Sequence, residues 1–407
     1  MRLLIVVDTY VPARISGALQ MRDLACEMAA QGHRPTVVVP APGLPVPWRI
    51  EASAGVEVLR VRTLATKDVG RLRRAVAEWW LPHALLRGLG ASPLAATKWD
   101  GIVWYSPTIF LGPIVRAVKR RCGCRGYLIL RDLFPDWAVD AGVLRKGLAY
   151  RLLKRVERRQ YAAADVIGVQ SAANIARVAA DSPPGARIET LHNWLAKPAV
   201  RPTAVDVAAG PLAGRTIFAY TGNMGAAQGM DCLLDLARRL CARRDAGFLF
   251  VGRGSDVARL RATARAEALD NVQFVDEIDA EEIPGVLAQC HVGLIALDPR
   301  HTTHNVPGKL LTYLHAGLPV LARINPGNDL EALIRDEGIG FVVAGDRQDE
   351  LQRHAEALLG AAALRAEMRG KGRVLAERVF SPGTAVGQVV RGLAGDATRS
   401  GSAGESS

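Results

Sequence analysis

The chain has 407 residues, of which 49% are hydrophobic, 23% are charged and 5% are aromatic. This composition excludes an intrinsically disordered chain, and the length suits two domains of roughly 200 residues each. The 52 Lys and Arg residues exceed the 40 Asp and Glu residues, so the net charge is +12.

The first half begins with a strand, a helix and a second strand. The apolar run at residues 3–7 ends at Asp8 without a small-residue cleavage site, so we expect no signal peptide. A loop with Pro12, Ser16 and Gly17 follows this strand. A helix is then predicted over residues 19–30, terminated by Gly32, and a second strand over residues 37–39 completes a βαβ unit. Further strands are predicted at residues 56–61, 102–105, 127–130 and 166–169. Strands that alternate with helices are typical of a parallel sheet.

The same alternation restarts after a proline-containing linker over residues 195–214. Strands are predicted at residues 216–220, 248–251, 272–275, 292–296, 319–321 and 340–343, and helices at residues 230–240 and 309–314. We therefore predict an α/β fold of two Rossmann-like, doubly wound parallel sheets facing across a cleft. We predict a first domain over residues 1–200 and a second domain over residues 201–380. A C-terminal helix over residues 381–394 is expected to return to the first domain, and a Gly/Ser-rich tail over residues 395–407 is expected to be disordered.

Two groups of residues are candidate metal ligands. Cys122 and Cys124 form a C-x-C pair, but no second pair completes a zinc set, and the six scattered cysteines are typical of reduced thiols in the cytoplasm. Asp298, His301 and His304 form the other group. We expect no metal there, because backbone N–H groups and cationic side chains suffice to bind a diphosphate.

Four small or Gly-rich loops each follow a predicted strand and open a helix. Ligands of parallel sheets bind at the carboxyl ends of the strands, where glycine and free helical N–H groups accommodate phosphate. One such loop alone is typical of an ordinary strand-to-helix turn, whereas four in register indicate an anion-binding cleft. The loops are Ser16-Gly17, residues 221–229 (Thr-Gly-Asn-Met-Gly-Ala-Ala-Gln-Gly), residues 252–254 (Gly-Arg-Gly) and residues 304–309 (His-Asn-Val-Pro-Gly-Lys).

These loops resemble those of the family 4 retaining glycosyltransferases of GT-B fold, and the resemblance covers nearly the whole chain. The motifs that carry it are Pro12, Gly17, Leu24-Ala25 and Gly32-His33 in the first half, and residues 220–231, 250–254, Pro307 with Lys309, and 313–319 in the second. The resemblance implies a set of donor-binding residues, namely Gly17, Gly222, Asn223, Gly225, Gln228, Gly254, His304, Asn305, Pro307, Gly308 and Thr312.

The chain departs from the family's pattern at four charged positions. The substituted positions are His304 and Thr312, where the family carries two glutamates eight positions apart, and Asn223 and Gln228, where it carries an Arg and a Lys. Lys309 at the start of a predicted helix and Arg253 on the neighbouring loop can supply the missing positive charge. We therefore expect Lys309 and Arg253 to be catalytic residues that stabilise the donor diphosphate.

A subgroup of this family carries a further set of matching motifs, at residues 131–136 (Arg-Asp-Leu-Phe-Pro-Asp), residues 192–194 (His-Asn-Trp) and Asn223 with Gln228. This subgroup builds the repeat units of O-antigen, capsule and colanic acid, and includes transferases of N-acetylated deoxyhexosamines such as L-fucosamine and quinovosamine from UDP donors. Asp132 and Asp136 are candidate acceptor-site carboxylates, and Asp132 is the third predicted catalytic residue. The alternative is that Asp132 caps the turn before Pro135.

The resemblance implies a hexosyltransferase-type enzyme that moves a sugar, with retention, from a UDP-sugar to a lipid-diphosphate-linked saccharide in surface polysaccharide synthesis. The leaving diphosphate can take the acceptor's proton, so positioning and charge stabilisation carry the catalysis. We expect no metal and no cofactor besides the UDP-sugar co-substrate. One alternative is an inactive partner subunit of another transferase, which the retained glycine loops and Lys309 disfavour. The other is a UDP-sugar epimerase on the same fold, which is disfavoured because the sequence lacks the expected array of acid and base residues.

Positive charge is concentrated in the first half. Residues 1–200 hold 29 Lys and Arg against 15 Asp and Glu, a net +14, while the rest of the chain carries −2. No nucleic-acid-binding motif accompanies this charge, so we expect no nucleic acid and favour an anionic membrane surface. Basic residues flank Trp79 and Trp80 within residues 71–82, and a second basic cluster spans residues 146–159. These features predict a peripheral protein on the inner face of the bacterial cytoplasmic membrane; the alternative is that both tryptophans are core residues.

Overall fold

The chain folds into two compact units in a computed structural model, which describes residues 1–13, 15–66, 69–140, 142–300 and 306–395. The first unit comprises Met1–Asn193 together with residues 382–395, and the second comprises Trp194–Ser381. Each unit contains its own sheet.

The first unit is built on a sheet of eight described strands in the order β3-β4-β2-β1-β5-β6-β7-β8. All neighbours are parallel except β3 and β4, which form an antiparallel hairpin. The strands are β1 (Arg2–Val6), β2 (Arg34–Pro40), β3 (Trp48–Ser53), β4 (Val56–Val61), β5 (Gly101–Ser106), β6 (Arg125–Leu130), β7 (Val166–Val169) and β8 (Arg187–Thr190). The helices between them are α1 (Ser16–Ala30), α2 (Arg71–Ala91), α3 (Gly112–Cys122), α4 (Asp136–Asp140), α5 (Leu148–Tyr161) and α6 (Ala173–Asp181).

The second unit is built on a parallel sheet of six described strands in the order β11-β10-β9-β12-β13-β14. The strands are β9 (Thr216–Thr221), β10 (Ala246–Val251), β11 (Val272–Val275), β12 (Val292–Ala296), β13 (Val320–Ile324) and β14 (Gly340–Ala344). The helices are α7 (Asp231–Arg239), α8 (Val257–Ala266), α9 (Ile283–Leu287), α10 (Gly308–Ala316), α11 (Asp329–Glu337), α12 (Gln348–Gly360) and α13 (Ala362–Phe380).

A last helix, α14 (Pro382–Ala394), belongs to the first unit, where it packs against α1 and β6. Its Leu393 packs closely against Gly101 of β5, where a Cβ atom on the strand would lie 2.8 Å from the leucine Cδ1 atom. The first unit is therefore formed by two separate stretches of the chain.

Strand order places the carboxyl ends of particular strands together in each unit. In the second unit β9 lies between β10 and β12, and in the first unit β1 lies between β2 and β5. These are the points at which a doubly wound sheet reverses its strand order and leaves a crevice for ligands. The predicted fold class of two Rossmann-like α/β domains is confirmed for each unit. None of the described helices is long and apolar enough to cross a membrane.

Candidate functional sites

Two glycine-rich loops lie side by side at the carboxyl ends of β9 and β10. The backbone N–H groups of Gly222 and Met224 donate hydrogen bonds of 2.9 and 2.7 Å to carbonyl oxygens at the end of β10 and on its loop. Gly252 and Gly254 have φ values of 141° and 149°, which disfavour any other residue. A Cβ atom at either position would also collide with the carbonyl oxygen of Gly222 or Met224. The close approach of the two loops therefore requires glycine at both positions.

Asn223 and Gln228 hold the shape of the β9 loop. The Asn223 amide nitrogen donates to Gln228 Oε1 at 2.9 Å, and the Gly225 backbone N–H donates to the same oxygen at 3.1 Å. The Tyr220 hydroxyl donates to the Asn223 carbonyl at 2.6 Å. The two residues that replace the family's Arg and Lys thus hydrogen-bond to each other within the loop and bring no positive charge to it.

Lys309 supplies a cation beside this loop. It follows Pro307 and the exposed Gly308 at the start of α10, and its Nζ atom lies 4.8 Å from the centre of the Tyr220 ring. Its Cε atom lies 3.3 Å from the position that a Cβ atom would take on Gly222. The side chain is half-buried, and this burial lowers its pKa to about 8. Among the described residues, no carboxylate oxygen lies within ion-pair distance of Lys309, so its charge is available to an anion.

The other predicted cation points elsewhere. Arg253 is largely exposed, and its guanidinium lies 3.2 Å from the carboxylate of Glu277. Thr312 lies one turn after Gly308 on α10 and donates to the Gly308 carbonyl at 3.4 Å. The structure therefore brings Lys309 to the β9 loop and pairs Arg253 with an acid on the neighbouring segment. His304 and Asn305 lie outside the described residues.

Tyr313 fixes α10 against the sheet, and sequence reasoning gave it no role. Its buried hydroxyl accepts a 3.1 Å hydrogen bond from the Thr221 N–H and donates one of 3.1 Å to the Leu294 carbonyl. These bonds join the helix that carries Lys309 to both β9 and β12. The only sequence signal for this role was that Tyr313 lies in the segment at residues 313–319 that resembles the family. Its hydrogen-bond partners Thr221 and Leu294 are distant in sequence, so the role itself could not be predicted.

The first unit contains a cavity of about 350 Å³ at the carboxyl ends of β1, β5 and β6. Gly17, Arg74, Tyr105 and Asp132 are among its lining residues. A Cβ atom on Gly17 would lie only 3.0 Å from the Tyr105 hydroxyl, so glycine leaves room for that phenol. Gly17 and Asp132 are thus in one site, while the other described donor-loop residues belong to the second unit.

The cavity combines a carboxylate with a neutral phenol. Although Asp132 remains exposed on one side, desolvation by the cavity wall raises its pKa, an effect that the neighbouring Arg131 reduces. Burial raises the pKa of Tyr105 to about 12, so its hydroxyl keeps its proton at neutral pH. No hydrogen-bond partner of the Asp132 carboxylate is found in the part of the chain that the structure describes. A carboxylate acceptor next to a hydroxyl donor is suited to binding a sugar hydroxyl.

Asp136, the other candidate carboxylate, lies in a different environment. It accepts hydrogen bonds from Lys154 Nζ at 2.9 Å and from the Tyr150 hydroxyl at 2.8 Å. Burial would raise its pKa, but these two bonds outweigh it and lower the pKa. Lys154 also pairs with Glu157 and Asp181, each at 2.6 Å. Asp136 is therefore part of an ion-pair cluster that joins α4, α5 and α6, and of the two aspartates Asp132 lines the cavity.

Two family profiles match the chain in succession. The profile described as a glycosyl transferase 4-like domain matches residues 17–194, and the one described as glycosyl transferases group 1 matches residues 215–361. Together they cover most of both units and contain Gly17, the β9 and β10 loops and Lys309. The two halves of the chain are glycosyl transferase domains, and the chain is a glycosyltransferase. The predicted glycosyltransferase class is thus confirmed.

Two relatives of this glycosyltransferase come from bacteria. One is the probable glycosyltransferase WbjE of Pseudomonas aeruginosa, 29% identical over 54% of this chain and 56% of the relative's length. The chain thus spans little more than half of that relative. The other is the putative colanic acid biosynthesis glycosyl transferase WcaI of Escherichia coli, 24% identical over 86% of this chain and 92% of the relative. The predicted likeness to polysaccharide-building transferases is confirmed.

Solved structures share the fold of this glycosyltransferase over nearly its full length. Sucrose-phosphate synthase from Thermosynechococcus elongatus superimposes with a TM-score of 0.70 and 15% identity, covering 96% of this chain and 98% of that one. HepE of Anabaena, solved in complex with UDP-glucose, superimposes with a TM-score of 0.64 and 14% identity, covering 96% and 98%. These similarities show that the fold is that of the GT-B glycosyltransferases.

Proposed function

We propose that this glycosyltransferase moves a sugar, an N-acetylated deoxyhexosamine, from a UDP-sugar to a lipid-diphosphate-linked saccharide during synthesis of a surface polysaccharide. The observation that carries the proposal is the placement of Lys309, a half-buried cation without a carboxylate partner among the described residues, beside the Gly222 loop. A diphosphate is the ligand that suits such a cation beside a glycine-rich loop, because glycine lets a phosphate approach the backbone closely. The UDP-glucose complex of HepE and the name of WcaI support the donor and the pathway.

In this proposal the second unit binds the nucleotide donor, with the diphosphate between the β9 and β10 loops and Lys309. The bond from the sugar C1 to the diphosphate oxygen breaks as positive charge develops on the sugar ring. Lys309 then stabilises the negative charge that forms on the leaving diphosphate. Transfer with retention follows when the acceptor hydroxyl attacks from the face that the diphosphate leaves, and the diphosphate accepts the hydroxyl proton. Neither a metal nor a strong general base is needed.

The cavity of the first unit binds the acceptor sugar in this proposal. The Asp132 carboxylate accepts a hydrogen bond from an acceptor hydroxyl, and the Tyr105 hydroxyl donates or accepts another. Because the pKa of Asp132 is raised, its carboxylate becomes protonated at a higher pH than the carboxylate of an ordinary aspartate does. Acceptor use should therefore fail on the acid side before the donor is released.

UDP release from a panel of UDP-sugars, measured with and without a lipid-diphosphate-linked N-acetylhexosamine acceptor, tests this function. We expect turnover with one UDP-sugar, and an Asp132→Asn variant with kcat/KM for the acceptor reduced at least about tenfold, the effect of losing one charged hydrogen bond. The donor Kd from calorimetry should stay unchanged. Glu27→Gln, about 15 Å along α1 from Gly17, is the matched control. A protein that binds no UDP-sugar would overturn the proposal, and full acceptor use by Asp132→Asn would remove Asp132 from the site.

We further propose that the first unit docks on the anionic inner leaflet of the cytoplasmic membrane. Trp79 and Trp80 on α2 are 51% and 45% exposed, as docking requires. On α5, Leu148 is 84% exposed and adjoins the exposed Arg151 and Arg155 along the second basic cluster. Exposed apolar side chains among basic residues are typical of peripheral membrane surfaces. The alternative of core tryptophans does not fit these exposures.

Co-sedimentation with vesicles tests the docking. We expect binding that requires anionic lipid, weakens with salt, and falls when Arg71, Arg73 and Arg74 are changed to glutamine, since each basic residue near such a surface contributes about 1 kcal/mol. The control changes three exposed arginines of the second unit, Arg244, Arg265 and Arg300, to glutamine and should bind normally. Equal binding to neutral vesicles would show that the basic surface serves another partner.

A further inference from the structure

An apolar groove lies beside the cavity of the first unit. It has a volume of about 470 Å³ and is lined by Leu64, Ala75, Val76, Trp79 and Trp80. Val76 is 62% exposed and Leu64 is also exposed, so these side chains meet solvent and not a protein core. Large apolar side chains clustered in a concave surface indicate a ligand or an interaction site.

The groove and the cavity share the first turns of α2. Arg74 and Glu78 line the cavity and form a 2.7 Å ion pair, and the residues next to them in sequence line the groove. The Trp79 ring packs edge-on against the Phe110 ring, with centres 6.1 Å apart, and Phe110 lines the cavity. One pair of aromatic rings thus separates the groove, which carries no charged side chain among its described lining residues, from the cavity, which carries Arg74 and other charged side chains.

This arrangement fits one class of ligand. In a molecule with a sugar-phosphate head and a long hydrocarbon chain, the head would match the cavity and the chain would match the adjoining groove. Arg74 is suited to a phosphate at the junction, because a phosphate can compete with the Glu78 carboxylate for the guanidinium. A soluble sugar acceptor would leave the groove empty.

We propose that the groove binds the hydrocarbon chain next to the phosphate of the lipid-linked acceptor, with that phosphate at Arg74 and the sugar in the cavity. The inference rests on the proposed function, since it names where the acceptor's lipid lies. The groove then selects acceptors by chain length, because every additional buried methylene group raises affinity about fourfold. It also removes the first part of the chain from the bilayer and raises the sugar to the cavity.

Binding of geranyl phosphate and farnesyl phosphate in vesicle-free solution tests the groove, with Trp79 and Trp80 fluorescence as the signal. We expect farnesyl phosphate to bind at least about tenfold more tightly than geranyl phosphate. Trp79→Phe and Trp80→Phe variants assign the change in emission to the groove. Arg74→Gln should weaken both ligands by the same factor and leave the preference for the longer chain intact.

Val76→Glu should bring the affinity for farnesyl phosphate down to that for geranyl phosphate. The matched control is Val374→Glu, because Val374 on α13 is also 62% exposed but lies in the second unit. Equal affinity for the two chain lengths would overturn the inference. So would a Val76→Glu variant that loses vesicle binding but still prefers farnesyl phosphate, since the groove would then serve membrane docking alone and the acceptor chain would bind elsewhere. UDP-sugar calorimetry on the same variants separates failure of the groove from failure of the proposed transferase function.

Discussion

Changing Lys309 to alanine should lower kcat/KM for the UDP-sugar by about 10- to 150-fold. The change removes a charged hydrogen bond to the diphosphate, which contributes roughly 1.5–3 kcal/mol. The loss should exceed that from Arg253→Ala, because Arg253 is exposed and paired with Glu277. Steady-state kinetics at saturating acceptor measures the effect, and Lys371→Ala on the exposed surface of α13 is the control.

The Lys309 charge should also give donor binding a pH dependence. The free protein's Lys309 has a pKa of about 8, so the charged form prevails below that pH and is lost above it. UDP affinity should therefore fall with rising pH, by up to about tenfold per unit above pH 8. Lys309→Arg should abolish this dependence, because a guanidinium stays charged throughout the range. An Lys309→Ala enzyme with normal kcat/KM would contradict the assignment of Lys309 to the diphosphate.

Changing Gly254 to alanine should abolish UDP binding and destabilise the second unit by at least about 2 kcal/mol. The new Cβ atom would collide with the Met224 carbonyl, and the φ of 149° is strained for any residue but glycine. The β9 and β10 loops would have to separate, and the N–H groups of the β9 loop would move away from Lys309. Chemical unfolding and UDP calorimetry measure the two effects.

Gly370→Ala is the matched control for that change. Gly370 lies inside α13, where an added Cβ atom meets no other atom within 4 Å. Alanine is favoured there, so stability should rise by about 0.5–1 kcal/mol while UDP binding stays normal. If Gly254→Ala bound UDP as the wild type does, the contact between the two loops would not be part of the donor site.

The sequence was most informative where residue type and backbone geometry are directly linked. Buried parallel strands such as β1, whose Leu3 to Val6 are fully buried, require continuous apolar runs, and these runs predicted the positions of most strands. Strand β3 was not predicted, because Arg49 and Glu51 interrupt its apolar pattern and its pairing with β4 decides its conformation. The short edge strand β8 was missed for a similar reason.

The candidate sites were predictable only in part. Glycines 222, 252 and 254 were found because they lie in Gly-rich loops that follow predicted strands, and their positive φ angles explain why glycine occupies those positions. Lys309 was found because it follows Pro307 at a helix start. The roles of Tyr105 and Tyr313 depend on contacts with residues distant in the chain, which no local pattern encodes. The same holds for Asp136, whose partner Lys154 lies on another helix.

Helix α5 reverses the usual arrangement of a surface helix. Its inner face carries the buried Lys154, Glu157 and Gln160, while Leu148 and Leu152 are exposed on the outer face. Ion pairs with α4 and α6 thus hold the helix in place, and the leucines take little part in folding. In the proposed membrane docking, the residues that would contact the lipid are therefore different from those that hold the helix in place. Substitutions at Leu148 and Leu152 could then change membrane affinity, across related strains or in an engineered protein, without disturbing the ion pairs beneath.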